Sequence, residues 1–99
     1  MQIRIALITA ALLAAAAPAS AGRVKDGYVG CVTEETLDEF TSAAVNGDQR
    51  QMQALLGVSC VSIGGREFSM VDRGFLVSEI RVYFGGDSVL LFTPAEGAR

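Results

Sequence analysis

The chain has 99 residues, eleven acidic and eight basic side chains, a net charge of −3 and no histidine. That length allows one domain, and a mildly acidic balance speaks against nucleic acid and against anionic lipid, both of which call for basic stripes. Without histidine, the commonest general base and metal ligand is missing.

Residues 1–21 read as a secretory signal peptide. Arg4 supplies a short positive start, residues 5–17 are apolar except for Thr9, and Pro18, Ala19, Ser20 and Ala21 form a small-residue cleavage site, with cleavage expected after Ala21. The apolar run is short for a spanning helix, which needs about 20 residues. No cysteine stands at the cleavage site, so a lipid anchor is not indicated. Residues 22–99 then form a single small domain that keeps all eleven acidic residues and seven of the eight basic ones, a balance of −4. No stable membrane insertion is expected after cleavage.

Residues 22–28 are polar and expected to be mobile near their start. The helical part follows at about 33–56. Thr33 is placed to cap a first helix, and Glu34, Glu35, Asp38 and Glu39 crowd its opening turns, where the dipole favours acids. Leu37, Phe40 and Ala44 form an apolar stripe with Ala43 beside it. Asn46 and Gly47 stop the helix, Asp48 with Gln51 restarts it, and Met52, Leu55 and Leu56 give the second helix its apolar face before Gly57.

Four strands are expected over about 58–93, at residues 58–63, 66–71, 76–84 and 89–93. Gly64 and Gly65 read as a two-residue hairpin turn, residues 72–74 as a turn or wider loop, and Gly85, Gly86 and Asp87 as a second tight turn. In the long third strand Ile80, Val82 and Phe84 point one way and Glu79, Arg81 and Tyr83 the other. Pro94 has no N–H to donate and ends the pairing. Residues 95–99 look loose.

Two cysteines, Cys31 and Cys60, in a chain marked for export are expected to form a disulfide. The spacing is not the Cys-x-x-Cys of a redox pair. A core this small is marginal, and a bridge closing a loop of about 30 residues adds roughly 3–4 kcal/mol. The bridge is expected to hold the start of the helical hairpin against the sheet edge.

The run Gly65-Arg-Glu-Phe-Ser-Met-Val, then Ile80-Arg-Val-Tyr-Phe-Gly-Gly-Asp and Val89-Leu-Leu-Phe-Thr-Pro, resembles a bacterial SH3-like small barrel. The likeness covers about a third of the chain and extends to small exported bacterial proteins with a helical pair, a cysteine bridge and an SH3-like tail. It implies binding to cell-wall peptides or protein partners rather than catalysis. The stretch Ala43-Ala-Val-Asn-Gly-Asp followed by Leu55 and Leu56 is similar to the helix pair of an ankyrin repeat, but a single copy cannot bury its own face and reads as a generic helical hairpin.

The fold expected is therefore α+β, an N-terminal helical hairpin followed by a four-stranded antiparallel SH3-like sheet or partly open barrel. No motif for catalysis, phosphate binding or zinc is present, the single lysine, Lys25, lies outside the structured part, and no cofactor is implied. The acids at the first helix do not follow the calcium-loop pattern. They are a candidate docking site for a basic partner through Glu34, Glu35 and Asp38. Tyr83, Arg81 and Phe75 form a second candidate, since aromatics with arginine are favoured at interface centres. The function expected is non-enzymatic binding of a protein or cell-wall peptide in the periplasm or outside the cell. The alternatives are an inhibitor or immunity factor acting on an exported enzyme, and a structural subunit of an envelope assembly.

Overall fold

A computed structural model describes residues 22–99 of the chain, so the signal peptide expected at 1–21 lies outside the described residues. The elements run β1 (Gly22–Arg23), β2 (Val29–Cys31), α1 (Glu34–Val45), α2 (Gln49–Leu55), β3 (Cys60–Ser62), β4 (Glu67–Asp72), β5 (Val77–Phe84), β6 (Asp87–Pro94) and a 3-10 turn (Ala95–Ala98). The class is α+β, and the helical pair falls where its caps and periodicity put it. It is not N-terminal, however, because β1 and β2 precede it.

The sheet has six strands, not four, in the order β1-β4-β5-β6-β2-β3, and every pairing between them is antiparallel. The two additional strands hold two and three residues, too short for period-two alternation to show. The β5–β6 hairpin is the longest pairing, in register from Val77↔Pro94 to Phe84↔Asp87. Gly85 takes φ 63° at its turn, as a two-residue hairpin loop requires at its first central position.

The other glycine pair does not make a hairpin. Arg66 N–H donates to Ile63 O at 3.0 Å, so the chain does turn there. The strands on either side are nevertheless not partners: β3 lies at one edge of the sheet, and β4 is next to the opposite edge. Gly65, at φ 80°, donates its N–H to Val24 O at 2.8 Å, and a side chain on Gly64 would meet the backbone of Asp26 and Gly27 at 3.0 Å. The glycines permit close passage past the N-terminal segment.

Residues 22–28 and 95–99 are likewise ordered. β1 pairs with β4, and Val24 is buried. Lys25 N–H donates to Gly97 O at 2.9 Å, and Ala95, Gly97 and Ala98 are buried. Small residues at the C-terminal end had no apolar periodicity to reveal them, yet they fit under the Tyr28 ring, which a side-chain carbon on Gly97 would approach to 2.7 Å. In this clasp the Tyr28 phenol is held above its ordinary pKa of 10.0, chiefly by the Glu96 carboxylate as an acceptor for the phenol proton, then by partial burial and by the Glu96 charge, with Arg99 opposing. The fold thus favours the protonated phenol, so the stability it contributes is complete below pH 10.0 and is lost as pH rises past that value. Glu96→Gln is expected to bring the Tyr28 titration down toward the ordinary tyrosine value and to reduce the alkaline loss. Phenolate absorbance followed against pH checks this, and an unchanged titration would remove Glu96 as the cause.

Each face of the sheet carries a hydrophobic cluster. On one, Ile80 and Val82 of β5 pack with Leu91, Phe68, Ile63 and Val24. On the other, Phe92 and Val77 pack with Cys31 and Cys60 beneath Leu37 and Leu55 of the helices. The burial along β5 confirms the expected alternation, with Ile80 and Val82 inside and Arg81 and Tyr83 outside. On α1 the buried stripe runs through Leu37 and Ala43, with Ala44 exposed. The disulfide joins Cys31 to Cys60, which are register partners on β2 and β3. It is therefore a rung inside the sheet, closing the base of the helical excursion, rather than a clip from helix to sheet edge.

Candidate binding groove

The start of α1 is fixed by reciprocal threonines. Thr36 N–H donates to Thr33 Oγ1 at 3.1 Å, and Thr33 N–H donates to Thr36 Oγ1 at 3.3 Å, a capping box that sets the angle at which the helix leaves the disulfide. Leu37 turns inward, so Glu34, Glu35 and Asp38 are left on the exposed side.

Opposite them stands the β4–β5 loop. The ladder shifts register between Met70 and Asp72, and Gly74 N–H donates to the buried Ser78 Oγ at 3.2 Å. Ala95 N–H donates to Leu76 O at 2.8 Å. These two bonds tie the loop to β5 and to the chain after β6 while its apolar side chains face water: Phe75 is 90% exposed and Leu76 75%. Phe75 is the most exposed of the large apolar side chains among the described residues.

Between the helix and the loop lies a groove of about 550 Å³. Leu37, Val77 and Pro94 line it together with Leu76, and Glu34, Glu35 and Asp38 form its rim. The fold thus brings the acidic start of the helix, one candidate from the sequence, beside the loop that carries Phe75, part of the other. Leu76, Val77 and Pro94 were not singled out in the sequence as site residues. The signal for Leu76 was present, since two adjacent large apolar residues at a strand start cannot both face the core.

Tyr83 and Arg81 lie toward the other end of β5. The Tyr83 hydroxyl is 2.7 Å from Ser69 Oγ, and Arg81 donates to Ser88 Oγ at 3.3 Å. A smaller cleft of about 400 Å³ there is lined by Tyr83 with Arg23, Arg66 and Glu67. Its arginines have partners within the chain: Arg23 donates to Gly65 O at 3.0 Å, and Arg66 stacks over the Phe84 ring at 4.5 Å.

Among the described residues, no group of three or more cysteine or carboxylate side chains is placed to hold a metal ion, and no helix is long and apolar enough to cross a membrane. The buried disulfide fits an oxidising compartment. Comparison with protein-family models, with curated proteins and with solved structures gives no match for this chain.

Proposed function

We propose that the chain is an exported, non-enzymatic binding protein of the bacterial envelope, acting in the periplasm or outside the cell on a protein or cell-wall peptide partner. The observation that carries this reading is the groove between α1 and the β4–β5 loop, an apolar floor next to exposed Phe75 and Leu76. A rigid concave surface with unpartnered apolar side chains is what a polypeptide contact needs. An inhibitor or immunity factor directed at a cationic exported enzyme would use the same groove, and its acidic rim favours that variant. A structural subunit that adds strands to its neighbour has less support at the β3 edge, where Gly57 N–H already donates to Cys60 O at 2.8 Å.

The test is capture of a crosslinked partner from the native envelope by the exported protein and by two variants. Leu76→Asp is expected to abolish capture, and Tyr83→Ala to leave it intact. Capture that survives Leu76→Asp, or that is lost with Tyr83→Ala alone, would move the contact surface away from the groove.

A further inference from the structure

We propose that the occupant of this groove is a cationic amphipathic segment of a polypeptide: an aliphatic side chain seated on Leu37, Val77 and Pro94, flanked by arginine or lysine that reaches Glu34, Glu35 and Asp38. The inference rests on the reading of the groove as the contact surface, and adds to it the chemistry of the partner.

Charge complementarity is the first argument. Three carboxylates and no cation line the groove. The chain has no lysine or arginine anywhere from residue 26 to residue 49, so α1 carries no basic residue of its own to neutralise them. The helix dipole accounts for Glu34 and Glu35 in the first turn, but its effect falls off within that turn. It gives no account of Asp38, which stands four residues after Glu34 and is therefore in the position where like charges on a helix repel. An external cation placed over the rim relieves that repulsion.

The floor is the second argument, and it is independent of the first. A helix start needs no apolar trough beside it. Leu76 is three-quarters exposed and flanks a floor of aliphatic carbon. A purely cationic ligand would leave that surface wet, and an apolar ligand without cations would desolvate the carboxylates with nothing in return. An acidic segment would be repelled. Only a segment with both features, spaced a few ångströms apart, satisfies the rim and the floor together. The volume of about 550 Å³ is in the range that holds a few side chains. Phe75, beside Leu76 on the loop, offers a ring face to a guanidinium.

The probes are three labelled peptides of equal length, one alternating leucine with arginine, one alternating leucine with glutamate and one alternating serine with arginine, each titrated by fluorescence anisotropy. The leucine–arginine peptide is expected to bind about tenfold or more tightly than either of the others, and to weaken with added salt as exposed ion pairs do. The combined variant Glu34→Gln, Glu35→Gln, Asp38→Asn is expected to bring the leucine–arginine and leucine–glutamate peptides to similar affinity. Leu76→Asp is expected to weaken the leucine–arginine peptide while leaving the circular dichroism of the protein unchanged. If the leucine–glutamate peptide binds as well as its arginine counterpart, or if no peptide binds, the proposed chemistry is overturned. The wider reading then stands or falls separately on whether Leu76→Asp still abolishes capture of the native partner.

Discussion

Replacing Cys31 and Cys60 together with alanine is expected to lower stability by about 3–4 kcal/mol, the chain entropy released when a loop of this size is opened. The sequence separation is 29 residues, and the loop holds both helices. The location makes the effect large. β3 pairs with β2, and the register of β2 on β6 is the single pair Cys31↔Phe92. The disulfide reinforces the three-pair β2–β3 ladder, and those two strands meet the rest of the sheet through the one β2–β6 pair. Both cysteines are buried, so their removal also loosens the packing under Leu37 and Leu55. For a domain of this size the thermal midpoint is expected to fall by roughly 15–25 °C, and the wild-type protein under reducing conditions is expected to show a similar fall. A shift of only a few degrees would mean that the two-helix unit is held by packing alone.

Ile80→Ala is expected to cost about 2–5 kcal/mol, the range for deleting a large aliphatic side chain from a closed core. Ile80 is fully buried, and its register partners are Met70 on β4 and Leu91 on β6, so its loss opens a space inside the cluster that holds Val82, Phe68 and Ile63. Tyr83→Ala, three residues along the same strand, removes more atoms but from the other face. Tyr83 is 38% exposed, and the loss is one hydrogen bond to Ser69 with some cross-strand packing, on the order of 1 kcal/mol. Urea unfolding of the two variants measures the difference directly. Equal costs would contradict the assignment of faces along β5.

That assignment was legible in the sequence, because the alternation from Glu79 to Phe84 is long and regular. The helical pair was legible for a similar reason: Thr33, Gly47 and Asp48 carry capping chemistry that depends on neighbours a few residues away. What could not be read were features set by distant segments. Val29–Cys31 becomes a strand only because β6 and β3 flank it, and Gly22–Arg23 only because β4 offers it an edge. Gly64 and Gly65 carry the signature of a hairpin turn, and no local rule distinguishes a turn between partners from one between strands at opposite edges. The groove was half visible. Its acids stood out as a cluster, whereas Val77 was read only as a strand residue and Pro94 only as the end of pairing, and their meeting with α1 depends on how the helices lie across the sheet. Tyr83 and Phe75 share β5 and the loop before it, and sequence proximity suggested one surface where the fold makes two.

The position of β6 between β5 and β2 has a consequence for how the molecule is made. The last strand to emerge during synthesis is the keystone of the sheet: β1, β4 and β5 lie on one side of it, β2 and β3 on the other. The β-ladder between those halves cannot close until residues 87–94 have been made. The bridge between Cys31 and Cys60 joins the two strands of the smaller half, so it does not wait on β6, and the closing strand receives a half that is already cross-linked.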